Sequence, residues 1–337
     1  MTETGPLFVS SGDLIADRRY TWAIEQAARG DFSAAADILA QTVELAPAFA
    51  TAWFALGAIR DRLGDRVGAI AAFEQARNAD ADDYHGARLQ LARLGSGEPA
   101  PAMSEPYVRR LFDQYAERFD AALTERLGYR GPALLSEAVA AVMRAAGRPP
   151  HFASALDLGC GTGLAGAAFR PMADRLVGID LSPAMIAQAR AKGLYDRLAT
   201  ADLQTFLADE AAKAARYELI LAADVFVYLN DLPPIFATIG HVLAPEALLA
   251  FTVETHAGEG AKLLPTLRYA HAESHVRDAL LGAGLAPAHL AAAAVRIEKG
   301  LPVESLVVVA ERFRPGSSED GDETRSSRRH RDDQGNA

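Results

Sequence analysis

The segment Leu156-Asp157-Leu158-Gly159-Cys160-Gly161-Thr162-Gly163-Leu164 constrains this chain more than any other. An apolar run ends beside an acid, three glycines alternate with other residues, and a small-residue helical pattern follows. Glycine tolerates backbone angles that other residues resist, and it lets ligand atoms come closer to the backbone than a Cβ allows. The first N–H groups of the following helix then face outward at the carboxyl end of the strand. The unit this pattern dictates is strand, glycine turn, helix.

Two ligands suit such a turn. Gly161-x-Gly163-x-x-Gly166, with Asp180 19 residues after Gly161, fits the dinucleotide fingerprint. Asp157 argues against it, because an acid at the strand end repels a pyrophosphate and attracts an ammonium group. Asp180 in V-G-I-D-L-S-P and Asp202 in T-A-D-L end the next two expected strands. Asp180 is placed to accept from ribose hydroxyls and Asp202 from an adenine amino group. Three acids on successive strand ends suit a zwitterionic, sulfonium-bearing nucleoside better than a diphosphate. The competing reading is that they only cap helices and turns.

Beyond residue 153, apolar runs alternate with helical stretches: ALDLG, RLVGID, the segment before Asp202, YELILAAD, LLAFTVE and ESLVVVAE. Such alternation predicts an α/β domain with a mostly parallel sheet covered on both faces. Asp157-x-Gly159-x-Gly161-x-Gly163 resembles motif I of the class I S-adenosylmethionine-dependent methyltransferases. Asp180-Leu-Ser-Pro-Ala-Met-Ile and Leu221–Leu229 resemble that family's segments around its second and fourth strands. The resemblance covers about residues 105–313 and implies a Rossmann-like, seven-stranded sheet whose last strand, E-S-L-V-V-V-A-E-R-F, inserts antiparallel at the sheet edge. It implies S-adenosyl-L-methionine as cofactor, held by Asp157, Gly159, Cys160, Gly161, Gly163, Asp180, Leu181, Met185, Asp202, Leu203 and Asp224. Met185 fits core filling equally well.

Residues 12–95 carry a repeat. Aligned on Gly30 and Gly64, an offset of 34 residues, both copies read Gly-Asp, Ala35 matches Ala69, and Leu39 matches Phe73. Trp53, Leu56, Gly57, Gly64, Ala69, Phe73 and Ala76 resemble the tetratricopeptide (TPR) pattern of paired helices, and residues 82–95 read as one further helix. Repeats followed by a methyltransferase-like domain and R-Y-A-H at 268–271 resemble bacterial methyltransferases with N-terminal tetratricopeptide repeats. Residues 96–104, with one glycine, two prolines and no periodicity, read as a linker. Residues 314–337 hold no Val, Ile, Leu, Phe, Trp or Tyr and are expected to be a disordered tail.

The net charge of -10 argues against a nucleic-acid partner, as does the lack of Asn-Pro-Pro-Tyr or Asp-Pro-Pro-Tyr after the fourth strand. A lone cysteine, Cys160, excludes an internal disulfide, and no metal site is expected. With no leader-like start and no run of about 18 apolar residues, a soluble cytoplasmic protein without membrane contact is expected.

Methyl transfer from a sulfonium needs alignment and exclusion of water more than a fixed set of proton-transfer residues. The catalytic candidates are therefore only Tyr228, His256 and His271, each of which equally suits packing or an exposed loop. Tyr115, Phe226, Arg268 and Tyr269 are candidates for substrate contact, with Arg268 suited to a carboxylate. The stripe Phe112, Tyr115, Phe119 suits a core or a lid. A small-molecule acceptor is favoured, with the repeats serving protein contact or self-association. The alternatives are an inactive methyltransferase-fold scaffold whose repeats bind a partner, and a dehydrogenase.

Overall fold

A computed structural model describes residues 8–97 and 103–312. The sequence-expected tail 314–337 and most of the expected linker lie outside these residues.

The N-terminal part is helical. Helices α1 (Leu14–Ala28) and α2 (Phe32–Leu45) pair, as do α3 (Ala50–Arg62) and α4 (Arg66–Ala79), and α5 (Ala87–Arg93) follows. The Gly-Asp pairs do the same work in both copies. Gly30 and Gly64 turn the chain at φ +88 and +82, and Asp31 and Asp65 cap the next helix by accepting from Ala34 N–H and Gly68 N–H. Ala35, Ala69, Leu39 and Phe73 are all buried. Gly57 allows α3 and α4 to meet closely, since a Cβ there would stand 2.7 Å from the Phe73 ring.

Helix α6 (Glu105–Tyr115), capped by Ser104, passes through a 3-10 turn (Ala116–Arg118), the one-turn α7 (Phe119–Ala121) and a π-turn (Ala122–Arg126) into α8 (Gly131–Ala145). Strands β1 (Phe152–Leu158), β2 (Ala173–Asp180), β3 (Arg197–Thr200), β4 (Tyr217–Ala222) and β5 (Leu243–Glu254) are mutually parallel. Between them run α9 (Leu164–Phe169), α10 (Pro183–Ala191), α11 (Leu203–Ala212) and α12 (Pro233–Val242). A small hairpin, β6 (Ala261–Leu263) and β7 (Tyr269–His271), precedes α13 (Glu273–Gly282), β8 (Leu285–Glu298) and β9 (Leu301–Arg312).

The seven-stranded order is β3-β2-β1-β4-β5-β9-β8. The last strand is antiparallel to both neighbours, but it lies inside the sheet and not at its edge. Burial explains the correction: Leu306–Ala310 is buried without a break and needs a strand on each side, whereas β8 is half-exposed along its alanine run and tolerates the edge. Two apolar clusters cover the two faces, one around Leu156, Val177 and Phe251, the other around Ala155, Leu176 and Leu219.

The helical part sits directly on this domain. Leu89 of α5 packs with Met103 and Tyr269, and around them lie Tyr107, Val108 and Tyr228. Arg110 lies over the Tyr84 ring at 3.7 Å, and the Ser104 hydroxyl donates to the Asp83 carbonyl. Among the described residues no helix is long and apolar enough to cross a membrane.

Candidate active site

The alternation of β1 sends Leu156 and Leu158 to one face and Asp157 to the other. Asp157 is buried. Its Oδ2 accepts from the Tyr195 hydroxyl at 2.7 Å, while its Oδ1 has no hydrogen-bond partner. Burial pushes its pKa up to about 7 against the opposing Tyr195 bond, with Asp180 adding a smaller upward push. Tyr195 fits because Gly178 has no Cβ, which would stand 2.8 Å from its ring. Gly166 clears the same ring, so the third glycine of the dinucleotide-like pattern serves packing.

After β1, Gly159, Gly161 and Gly163 adopt φ of +61, +54 and +92, all in the region that favours glycine. A Cβ on Gly159 would meet Val225 at 2.7 Å, which sets the end of β4 against the turn. Asp180 fastens this turn: Oδ2 accepts from Gly161 N–H at 2.9 Å and Oδ1 from Ser182 N–H at 2.8 Å. Burial raises its pKa to about 6, although both amides pull it down. Cys160 is buried, its amide donates to the Ile179 carbonyl, and burial raises its thiol pKa.

Leu181 lies between Asp180 and the α10 cap Ser182, and its carbonyl accepts from Arg109 Nε at 3.3 Å. Met185 is wholly buried, so its side chain fills core. Asp202 is the N-cap of α11, its Oδ1 accepting from Thr205 N–H at 2.9 Å, and Leu203 packs against the main core cluster. The capping role weighed for Asp202 is thus present.

The segment from α6 to α7 straps over the turn. Asp113 accepts from the Ser182 hydroxyl and Ala184 N–H. Asp120 accepts from the Thr162 hydroxyl and from Lys192 Nζ. Phe119 lies 3.8 Å from a Cβ position on Gly161 and makes an edge contact with Phe112, which meets Tyr228 in turn. Tyr115 is half-buried on the same segment.

Asp224 follows β4 at φ +58. Its N–H donates to the Thr252 hydroxyl, which donates back to Oδ1 at 3.0 Å. Oδ2 accepts from Arg296. Arg296 also pairs with Glu254 and Glu298, and Arg268 pairs with Glu254 at 2.5 Å and Glu298 at 2.7 Å. Arg268 is therefore buried and committed to two carboxylates, not held ready for a substrate carboxylate as expected. The other expectations on this side change for the same reason, burial. Phe226 is enclosed by Phe236 and Phe251, and Tyr269 by the α5 seam. His271 is fully buried and stacked on His275. Burial, then the neighbouring His275, holds its pKa down to about 4, so the ring is neutral and offers no surface to the cleft. His256 is half-buried and touches the Gly260 carbonyl at 3.3 Å within its own loop. Tyr228 stays half-buried beside the Asp224 network.

Sequence reasoning missed Tyr129, Tyr195, Arg296, Glu254 and Glu298. For Tyr195, paired glycines at 166 and 178 were the available signal; for the others no local pattern exists, since they meet only in the folded sheet.

A family model described as a methyltransferase domain matches residues 130–280. Human methyltransferase-like protein 27 is 38% identical over 104 residues, which span 31% of this chain and 40% of that protein. The chain thus matches less than half the length of this relative. Among solved structures, the [4+2]-cyclase SpnF aligns at 16% identity and a TM-score of 0.50, over 64% of this chain and 99% of that one. The 1,6-didemethyltoxoflavin-N1-methyltransferase of Burkholderia thailandensis, crystallised with S-adenosylhomocysteine, aligns at 20% identity and a TM-score of 0.47, over 65% and 92%. The likeness to the cyclase shows the fold, a Rossmann-like sheet with helices on both faces, and the match to the methyltransferase-domain model lies within it, at residues 130–280.

Proposed function

We propose that this chain is an S-adenosylmethionine-dependent methyltransferase acting on a small molecule, with tetratricopeptide-like N-terminal helices that serve protein contact or self-association. The observation that carries the reading is the acid and glycine turn after β1: a buried Asp157 with an orphaned Oδ1, and three glycines at positive φ fastened by Asp180. A buried carboxylate oxygen without a partner is costly and is relieved by a cation, as the cofactor's ammonium supplies. Each Asp180 oxygen accepts one amide, which leaves lone pairs for ribose hydroxyls. The residues present therefore fit this cofactor, which when bound supplies an electrophilic methyl group on sulfonium.

The chain's own residues have three tasks. Asp157, Asp180 and the glycine turn bind and orient the nucleoside. The strap of Asp113, Phe119 and Asp120 closes over it and excludes water, which protects the aligned geometry. Asp224, on the turn beside Gly159, forms the boundary between the cofactor side and the acceptor side. The repeat reading is supported by the matched glycine turns and Asp caps 34 residues apart.

Calorimetric titration of the full chain with S-adenosylhomocysteine tests the reading. Saturable one-site binding, absent with NAD, is expected; NAD binding without S-adenosylhomocysteine binding would replace it with the dehydrogenase alternative.

A further inference from the structure

On the acceptor side, two guanidiniums and three carboxylates form one connected lattice. All three nitrogens of Arg296 are engaged, Nε by Glu298, Nη1 by Asp224 and Nη2 by Glu254. Arg268 is engaged by Glu254 and Glu298. The formal balance is one negative charge. Accessibility divides the lattice by sign. The side chains of Arg296, Arg268 and Glu254 are 5%, 7% and 2% exposed, whereas those of Asp224 and Glu298 are 18% and 15% exposed. The cations are sealed inside, and the surface that a ligand meets is carboxylate. Burial opposes ionisation of Glu298, yet hydrogen bonds from Arg296 and Arg268 hold its pKa below the usual range, so that surface stays charged near neutral pH.

Two tyrosines frame the same place. Tyr129 and Tyr228 both lie within electrostatic range of Asp224 and Arg296, and burial raises the pKa of each. Tyr129 is set there by its loop, which adds to the edge of β8 through Arg130 N–H to the Val295 carbonyl and Ile297 N–H to the Leu127 carbonyl. Gly131 makes room for it, since a Cβ there would stand 2.6 Å from the hydroxyl. Both residues are half-buried.

We propose that the methyl acceptor is an amine or a basic nitrogen heterocycle, docked by Asp224, Glu298, Tyr129 and Tyr228, and that this wall rejects carboxylate and phosphate acceptors. The inference rests on the methyltransferase reading above and names its substrate class. A neutral nitrogen develops positive charge as it is alkylated: its lone pair forms the N–C bond, the methyl–sulfur bond breaks with its electron pair remaining on sulfur, and the surplus N–H proton passes to water. A fixed, net-negative wall stabilises that developing charge more than it stabilises the uncharged amine, which is the condition for lowering a barrier. A carboxylate approaching the same wall meets like charge and no unpaired cation.

The full chain is incubated with methyl-tritiated S-adenosylmethionine and a small-molecule extract of the cells that express it, and S-adenosylhomocysteine binding is measured in parallel. Label in products that are retained on a cation exchanger and stable to mild base is expected. Label released by base as methanol, or carried on neutral or anionic products, would overturn the proposal while leaving the methyltransferase reading intact if S-adenosylhomocysteine still binds. Failure of S-adenosylhomocysteine to bind removes both. Glu298→Gln and Tyr129→Phe are each expected to raise KM for the labelled acceptor about 10-fold, with S-adenosylhomocysteine affinity within about twofold. Equal loss of both affinities in Tyr129→Phe would assign these groups to the fold and overturn their docking role.

Discussion

Asp157 and Asp180 are neighbouring buried carboxylates that differ in their hydrogen-bond partners, and two predictions follow from that difference. Asp180 has both oxygens bonded to amides, so it holds the turn, and the proposed function gives it the ribose hydroxyls as well. Asp180→Ala removes bonds to a charged acceptor, each typically worth about 1.5–3 kcal/mol and not additive, so S-adenosylhomocysteine affinity should fall about 30- to 1,000-fold. Asp180→Asn, which keeps one acceptor, should be intermediate. Calorimetry with circular dichroism checks both, and near-normal affinity in folded Asp180→Ala would sink the assignment. Asp157 is likewise desolvated, but one of its oxygens is orphaned. Its pKa rises from 3.8 to about 7 on folding, so between those values the folded chain holds a proton that the unfolded chain has released. Stability from this group is therefore present at low pH and lost as pH rises through that window. Thermal melts at pH 5 and pH 8 should show Asp157→Asn gaining on the unmodified chain as pH rises. An unchanged difference would show that Asp157 stays ionised in the fold. The ammonium of the ligand favours the carboxylate, so binding near pH 6.5 should release protons, read by calorimetry in buffers of different ionisation heat. The acids and glycines of this turn were legible because their spacing is local. Arg296 and Glu298 were not, because nothing near them in sequence marks Arg296 as the partner of Asp224 or Glu298 as the partner of Arg268.

The strand that carries those two residues explains why they were missed. Leu285–Glu298 includes six alanines, which favour helix by intrinsic propensity, and its strand form depends on pairing with β9 along nearly its whole length. The runs that did read as strands, such as ALDLG and YELILAAD, are buried on both faces, and continuous apolar runs announce themselves. The last strand was legible as a strand but not in place, since register and order come from the sheet. The strap over the glycine turn is also a tertiary element. Its Phe112, Tyr115, Phe119 stripe suited either a core or a lid, and the tethers at Asp113 and Asp120 put it over the turn. Asp120→Ala removes the anchors to Thr162 and Lys192 at its far end. The strap should then open more often, and the dissociation rate of S-adenosylhomocysteine should rise about 3- to 10-fold, in line with loss of two charge-assisted bonds that solvent weakens at a partly exposed site. Stopped-flow displacement measures this. An unchanged rate would show that the strap does not gate release.

The molecule joins a short helical stack to an α/β domain through one apolar seam, and the stack depends on that seam. Its two helix pairs bury a core around Ala23, Leu39 and Leu56, but α4 and α5 share only a small cluster of Ala69, Phe73, Leu91 and Leu94. The other face of α5 belongs to the partner domain: Leu89 packs with Met103 and Tyr269, Gly86 receives the Tyr107 ring, and Tyr84 stacks on Arg110. Stacks of helix pairs gain stability from each neighbouring interface, so a stack of two pairs that loses its terminal interface loses a large share of its total. Burying Leu89 is worth roughly 1.5–3 kcal/mol, and exposing the seam also removes the aromatic contacts around it. Domain stabilities are only about 5–15 kcal/mol, so this is enough to leave residues 1–97 poorly folded when produced alone. Thermal melting of that fragment should be broad and lie well below the transition of the full chain. Leu89→Ala in the full chain should lower the melting temperature without changing S-adenosylhomocysteine affinity beyond about twofold, because Leu89 touches Tyr269 and not the glycine turn. A sharp transition of the isolated fragment at the temperature of the full chain would show instead that the repeats fold independently, and that the seam serves only to hold α6 and Tyr228 in place beside the acceptor wall.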